Sequence, residues 1–158
     1  MHDVFRSAAL AIGLLLGALF PLQAETLVVL GDDSYAPVVF ARGGKPAGVL
    51  VRILEHAQTL TGDKYDIRLS PWKRAYELAA RGEGGVVGVS FNQDRAKIFD
   101  FSKPFYDDDI QVVTLQGKSF NYSQLADLKG KTIGGVNGAS YGEEVDSAIA
   151  KGLFIVER

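Results

Sequence analysis

Apolar residues in the first half of the chain fall into strand-like and helix-like patterns that follow one another. Residues 26–30 form a continuous run of β-branched and aliphatic side chains, which is typical of a buried strand. Across residues 47–60 the apolar positions recur every three or four residues and Gly62 follows, which predicts an amphipathic helix. Residues 65–69 alternate between apolar and polar positions and predict a second strand.

A second helix and a third strand continue this order. Ser70 and Pro71 are typical of a helix start, because serine can cap free amides and proline lacks the amide that would need a partner. We expect the helix to span residues 71–81 and a buried strand to span residues 86–90. The order strand, helix, strand, helix, strand predicts an α/β fold around a parallel sheet.

The second half of the chain predicts further elements of both kinds. We expect strands at residues 110–115, 131–136 and 153–156, a short helix at residues 124–128 and a longer helix at residues 141–151. The chain stops just after the last of these strands, where a crossover helix normally follows. We therefore expect the α/β architecture to be incomplete.

The N-terminus has the pattern of a secretory signal peptide. Arg6 precedes an apolar run at residues 8–20, and the small residue Ala24 precedes Glu25. A membrane anchor is the alternative, but a spanning helix needs about 20 apolar residues and this run is shorter. We expect cleavage after residue 24 and a periplasmic product.

Charge and composition disfavour several classes of function. The net charge is −2 and the basic residues are scattered among acidic ones, so no basic surface for nucleic acid is predicted. The chain has no cysteine, which rules out disulfides, thiolate metal sites and a lipid anchor on cysteine. His2 and His56 are its histidines and stand far apart, so we expect no metal and no cofactor.

Several motifs together carry a resemblance to a known family. Asp94-Arg95 is followed by residues 99–106 (FDFSKPFY), and supporting motifs lie at residues 32–37 (DDSYAP), 43–48 (GGKPAG) and 128–134 (LKGKTIG). With these motifs the chain resembles the bacterial family 3 extracellular solute-binding proteins, which bind polar amino acids and related solutes. Residues 71–75 (PWKRA) and 138–142 (GASYG) are similar to one branch of that family, whose ligands are poorly defined.

The resemblance implies a two-lobed α/β fold of the periplasmic-binding-protein type II kind, with the solute in the cleft between the lobes. Residues 25–115 would form the N-terminal part of lobe one, and residues 116–158 would begin lobe two. The rest of lobe two and the segment that returns to lobe one would be missing from the chain.

The same resemblance implies two opposed anion-binding elements. The family's arginine, here Arg95, grips a solute carboxylate, and a guanidinium suits this role because its paired donors match a carboxylate. Gly138-Ala139-Ser140 lies between a predicted strand and a predicted helix, so the amides of Ala139, Ser140 and Tyr141 are expected to face the same carboxylate. The alternative for this segment is an ordinary helix start that Ser140 caps.

Other residues are weaker candidates for the site. Tyr35 and Trp72 would form aromatic walls, with a core aromatic as the alternative for each, and the place of Trp72 in the first helical turn beside a loop favours the site. Ser90 matches a serine that bonds the solute in the family, and Asp32 is a candidate for a solute amine. The family's acidic residues after the hairpin glycine are replaced at residues 49–52, and its serine pair before Ser90 is replaced by Gly88 and Val89. A carboxylate-bearing solute is therefore implied without being limited to an α-amino acid.

The resulting hypothesis is a monomeric binding component of an ABC importer that delivers its solute to a permease in the inner membrane, with no role in binding nucleic acid. Three alternatives remain open: an enzyme on the same fold, such as a dehydratase or a lytic transglycosylase-associated domain; the sensor module of a receptor; or a fragment that binds nothing. Asp32 and Glu143 are the only candidate general bases for an enzyme. We expect Asp107-Asp108-Asp109 to be a solvated turn and not a calcium loop.

Overall fold

The computed structural model describes residues 26–158, so the predicted signal peptide lies outside the described residues. The strands in this part of the chain are β1 (Thr26–Asp32), β2 (Ser34–Tyr35), β3 (Val39–Arg42), β4 (Lys45–Ala47), β5 (Lys64–Ser70), β6 (Gly85–Val86), β7 (Thr132–Gly134) and β8 (Ile155–Glu157). The α-helices are α1 (Val49–Thr61), α2 (Trp72–Ala80) and α3 (Glu143–Ala150). Single 3₁₀ turns lie at Arg95–Lys97 and Leu125–Leu128.

The parallel sheet predicted for the first half is confirmed. Its order is β5, β1, β6, and β1 pairs in parallel with both neighbours. Successive side chains of β1 point to opposite faces of the sheet, so Val29 packs into one core while Leu30 belongs to another. Residues of α1 cover the first face and residues of α2 cover the second. The carboxyl end of β1 therefore lies between these two helices. We call residues 26–99 the N-terminal unit.

A three-stranded antiparallel meander, β2 to β4, connects β1 to α1. Its backbone completes the start of α1, because the amides of Val49 and Leu50 donate to the carbonyls of Pro37 and Val38 at 3.1 and 3.0 Å. Gly48, the residue immediately before α1, has φ 115°, and a Cβ there would lie 2.5 Å from the carbonyl oxygen of Val38. Only glycine fits at this position, which is the last residue of the 43–48 motif.

The C-terminal unit, residues 120–158, is smaller. β7 and β8 pair in parallel over three residues, and α3 packs on them through a core of Leu128, Ala148 and Phe154. Its two strands have three residues each, whereas β1 has seven.

Two strand predictions are wrong in part or entirely. Residues 110–115 form no strand, because no segment of the described chain pairs with them, and Val113 and Leu115 are 88 % and 79 % exposed. The strand expected at residues 86–90 pairs only as far as Val86. Val87 still donates to the carbonyl of Leu30 at 2.8 Å, and then Gly88, with φ 78°, turns the chain out of the sheet.

Two predicted helix starts also need correction. Ser70 makes no cap for α2, because it is the last residue of β5, Pro71 takes the N-cap position, and no side chain bonds the free amides of the helix start. α3 begins at Glu143 and not at residue 141, since Gly142 adopts φ 93° immediately before it. Among the described residues, no helix has both the length and the apolar character that crossing a membrane requires.

Candidate functional site

Arg95 lies almost completely buried at the point where the two units meet. Its exposed fraction is 6 %, and its amide donates to Oδ1 of Asn92 at 2.8 Å, which fixes the short turn that carries it. The guanidinium donates from Nη1 to the carbonyl of Ser90 at 2.9 Å and from Nη2 to the carbonyl of Gly138 at 3.3 Å. None of the ion pairs within residues 26–158 includes Arg95, so its charge faces no bonded carboxylate there.

Two aromatic rings hold this guanidinium. The Cζ atom of Arg95 lies 5.7 Å from the ring centre of Trp72 and 5.4 Å from that of Tyr76, within the range of cation–π attraction. Burial lowers the pKa of Arg95, while Tyr76 and Asp146 act in the opposite direction. An arginine stays charged under such a shift, so the site contains a permanent, largely desolvated cation.

Trp72 joins Arg95 on the same acceptor. It is the first residue of α2, its side chain is buried, and its Nε1 donates to the carbonyl of Gly138 at 3.0 Å. One carbonyl of the C-terminal unit therefore receives hydrogen bonds from two side chains of the N-terminal unit. Gly138 adopts φ 76°, a conformation that L side chains rarely take.

Residues 138–141, which we call the 138–141 turn, are held by side chains. The amide of Tyr141 donates to Oδ1 of Asp146 at 2.9 Å, and the hydroxyl of Ser140 donates to Oδ2 of Asp146 at 2.5 Å. Nδ2 of Asn92 donates to the Ser140 hydroxyl at 3.1 Å and so joins the units a second time. The amide of Ala139 donates to the carbonyl of Val136 at 3.1 Å.

These contacts correct one premise of the sequence analysis. The turn precedes α3 and does not begin it, so its amides are not the free amides of a helix start, and Ser140 caps no helix. Of the three amides expected to face a solute, two are already bonded within residues 136–146, which leaves the amide of Ser140.

A cavity of about 400 Å³ brings the two elements together. Its walls include Arg95 from the N-terminal unit and Ala139 and Ser140 from the C-terminal unit. In all, two cationic and three anionic residues line this cavity: Lys73, Arg95, Glu77, Asp94 and Asp146. The wall therefore offers partners to positive and negative groups of a small molecule.

Other predicted residues lie elsewhere or contribute differently. Tyr35, Asp32 and Trp72 do not line this cavity, and Trp72 packs against Arg95 instead of forming the cavity wall. The hydroxyl of Tyr35 donates to Asp108, and burial together with this bond raises the pKa of Tyr35 to about 12. Asp32 is buried and accepts hydrogen bonds from the amide and the hydroxyl of Ser34, each at 2.9 Å.

Ser90 and Tyr141 contribute through atoms other than those expected. Ser90 is exposed, and its contact with Arg95 uses its carbonyl and not its hydroxyl. The hydroxyl of Tyr141 accepts the amide of Val136 at 2.6 Å, so this side chain supports the end of β7.

Sequence reasoning missed Asn92, Tyr76 and Asp146. Tyr76 lies one helical turn after Trp72, a spacing that places both rings on one face of α2. Asp146 lies in the first turn of α3, where an acidic residue is favoured by the helix dipole. Asn92 gives no signal beyond its position three residues before Arg95.

Two other candidates behave as ordinary surface features. His56 is exposed on α1, and the described residues contain no group of side chains arranged to hold a metal ion. The Asp107-Asp108-Asp109 run is exposed as expected, although Asp108 also accepts the hydrogen bond from Tyr35.

Solved structures with the same fold are solute-binding and sensor proteins. The amino acid ABC transporter substrate-binding protein AbpA from Streptococcus pneumoniae, bound to L-arginine, matches with a TM-score of 0.66 and 22 % identity over 84 % of this chain and 57 % of that one. The arginine-, lysine-, histidine-binding protein ArtJ from Geobacillus stearothermophilus matches with a TM-score of 0.64 and 26 % identity over 84 % and 58 %. A histidine kinase sensor domain similar to periplasmic binding proteins matches with a TM-score of 0.64 and 23 % identity over 85 % and 59 %.

A match to a curated protein concerns a small part of a much longer chain. Over 114 residues, 68 % of this chain, the sequence is 32 % identical to a leucine–tRNA ligase from Methylibium petroleiphilum, but it covers 12 % of that protein. The chain also spans under two thirds of the solved structures above.

The resemblance to a known family is confirmed by a match to the model of that family. Residues 27–152 match the model of the bacterial extracellular solute-binding proteins, family 3, and the α/β fold agrees with the solved neighbours. This match includes every residue of the cavity wall and all of the C-terminal unit up to residue 152. The chain therefore belongs to the bacterial extracellular solute-binding proteins, family 3.

Proposed function

We propose that this chain forms part of a two-lobed binding protein that captures a small polar solute with a carboxylate group. Residues 25–115 would belong to lobe one and residues 116–158 to lobe two. The observation that carries the proposal is Arg95, a buried cation without a bonded carboxylate, in the wall of a cavity that the 138–141 turn completes.

Arg95 is suited to hold a carboxylate in a fixed orientation. A guanidinium has five N–H donors, and the carbonyls of Ser90 and Gly138 engage two of its nitrogens. These bonds and the rings of Trp72 and Tyr76 hold the group in one place before any solute arrives. Preorganisation of this kind reduces the entropy that binding costs.

The 138–141 turn would supply the opposite side of the site. The amide of Ser140 is available as a donor, and the turn lies against Trp72 and Arg95 through the carbonyl of Gly138. A solute that contacts both units stabilises the closed arrangement by as much as it prefers that arrangement to the open one. The proposed role needs no bond to be made or broken.

The charges on the cavity wall favour a zwitterionic solute such as an amino acid. Asp94, Glu77 and Asp146 could face an ammonium group, while Arg95 would face the carboxylate. Solved neighbours are described as bound to arginine or to glutamine. L-arginine and L-glutamine are therefore the first probes.

In the cell we place the protein in the periplasm as a monomer that passes its solute to an ABC permease in the inner membrane. A sensor role is the second candidate, favoured by the fold shared with a histidine kinase sensor domain. A transmembrane helix encoded downstream in the same reading frame would favour the sensor, and neighbouring permease genes would favour transport.

The binding role is tested with a thermal-shift and calorimetry panel of amino acids and simple carboxylates. Arg95→Lys keeps a cation and an alkyl stem but loses the paired donors, so we expect affinity to fall about 10- to 100-fold. Arg74→Ala, an exposed position on α2, is the matched control and should bind like the unaltered protein. Equal binding by both variants would remove Arg95 from the mechanism, and no binding by the unaltered protein would refute the solute-binding role.

A further inference from the structure

Asp146 is the residue on which the contacts of the 138–141 turn converge. Its two carboxylate oxygens accept separate hydrogen bonds, one from the amide of Tyr141 and one from the hydroxyl of Ser140. The Ser140 hydroxyl in turn accepts a hydrogen bond from Asn92, whose other amide atom accepts the amide of Arg95. A continuous chain of hydrogen bonds therefore runs from the backbone of Arg95 to Asp146.

This series of hydrogen bonds leads to the turn that presents the carbonyl of Gly138. Gly138 lies two and three positions before the bonded residues Ser140 and Tyr141, and its carbonyl accepts hydrogen bonds from Trp72 at 3.0 Å and from Arg95 at 3.3 Å. Hydrogen bonds to an ionised carboxylate are roughly twice as strong as neutral ones. The turn has no regular secondary structure, and besides the backbone bond from Ala139 to Val136 it is held by these side-chain bonds.

We propose that Asp146 is a positioning residue for solute binding. This inference rests on the proposed function: by holding the amide of Tyr141 and the hydroxyl of Ser140, Asp146 fixes the 138–141 turn so that Gly138 reaches Trp72 and Arg95 and the amide of Ser140 remains for the solute. The carboxylate of the solute then meets Arg95 and Ser140, while Asp146 already occupies the amide of Tyr141.

A general stabilising effect on α3 is the competing explanation, because acidic residues in a first helical turn interact favourably with the helix dipole. Glu143 lies in the same first turn, is exposed, and makes no side-chain hydrogen bond to the 138–141 turn. It therefore separates the two explanations as a matched control.

Trp72 provides a direct measurement that needs no solute. It is the single tryptophan of the chain, it is 8 % exposed, and its Nε1 bonds to Gly138. We expect Asp146→Ala to shift the emission of Trp72 to longer wavelength and to raise its quenching by acrylamide. Glu143→Ala should leave both unchanged, and Asp146→Asn should restore part of the shielding, because its carbonyl oxygen can still accept the amide of Tyr141.

Solute titration completes the test. With L-arginine or the tightest-binding amino acid of the panel, we expect Asp146→Ala to weaken binding about tenfold and Glu143→Ala to leave it unchanged. Equal shielding of Trp72 in Asp146→Ala and Glu143→Ala, at comparable melting temperatures, would overturn the positioning role. Failure of the unaltered protein to bind any solute would instead refute the proposed function, and the quenching comparison would still decide whether Asp146 holds the turn. If Asp146→Ala does not fold, Asp146→Asn is compared with Glu143→Gln: weaker shielding of Trp72 in Asp146→Asn alone would support the positioning role, and equal shielding in both would overturn it.

Discussion

The two units of this chain contribute to one cavity but are stabilised in different ways. The N-terminal unit surrounds a seven-residue parallel strand with a core on each face, and its cation, Arg95, is buried against aromatic rings. The C-terminal unit has two three-residue strands, one core, and a turn that side chains hold in place. We infer that the N-terminal wall of the site is preformed, whereas the C-terminal wall depends on a few local bonds.

The largest difference in stability between the units is expected when Phe154, the aromatic residue of the C-terminal core, is truncated. Phe154 is 4 % exposed, so Phe154→Ala should cost about 3–5 kcal/mol. Because the C-terminal unit has no second core, amide hydrogen exchange should show loss of protection in β7 and β8 while β1 stays protected.

The complementary substitution lies in the larger core. Leu50→Ala, at a position 2 % exposed, should reduce protection in β1 and β5 instead. If either substitution abolished protection in both units together, the chain would behave as one cooperative body and the comparison would fail.

A smaller effect is expected where the turn meets β7. A Cβ on Gly135 would lie 2.5 Å from the hydroxyl of Tyr141 and 2.6 Å from Cγ1 of Val156, so Gly135→Ala should cost about 1–3 kcal/mol by overpacking. Gly134→Ala is the control, since nothing lies within 4 Å of a Cβ there. Equal melting temperatures for the two variants would show that the turn adapts freely.

The hydrogen bond from Trp72 to Gly138, which joins the two units, should contribute less to the free energy of unfolding. Trp72→Phe keeps an aromatic ring but removes the Nε1 donor to Gly138, which should cost about 0.5–1.5 kcal/mol in urea unfolding followed by circular dichroism. Lys73→Ala, at the adjacent exposed position, should cost less. A larger loss for Lys73→Ala would mean that Trp72 does not link the units.

The smallest effect concerns Tyr35, which ties the meander to residues beyond the N-terminal unit through Asp108. Its pKa is raised from 10.0 to about 12, first by burial and then by Asp108, so the folded state favours the neutral phenol. This contribution is complete below about pH 10 and is lost as pH rises towards 12. Tyr35→Phe should therefore lose less stability than the unaltered protein over that interval in urea midpoints measured against pH, and an identical pH dependence would contradict the assignment.

The first half of the fold was predictable from sequence because each element carries its own signal. The helical spacing of α1 and the alternation in β5 are local patterns, and burial of both faces of β1 makes its run continuously apolar. The predicted strand at residues 110–115 failed because a strand also needs a hydrogen-bonding partner, which no local pattern specifies.

The site was predictable only where a residue type has a distinctive chemistry. Arg95 stands out by its motif and its charge, and Gly138 by its place between a strand and a helix. Asn92 acts through a hydrogen bond to Ser140, 48 positions away, which depends on how the units meet, whereas Asp146 bonds Ser140 and Tyr141 within its own unit. Tyr35 and Asp32 were expected at the cavity, yet partners nearer to them, Asp108 and Ser34, hold their polar atoms.

The most direct test of the proposed site pairs a change in the protein with a change in the solute. Calorimetry would compare the tightest-binding amino acid of the panel with its carboxamide, in the unaltered protein and in Arg95→Lys. If Arg95 holds the carboxylate, amidation should weaken binding to the unaltered protein about 10- to 100-fold and should weaken binding to Arg95→Lys much less. Equal losses in both proteins would show that the carboxylate does not meet Arg95.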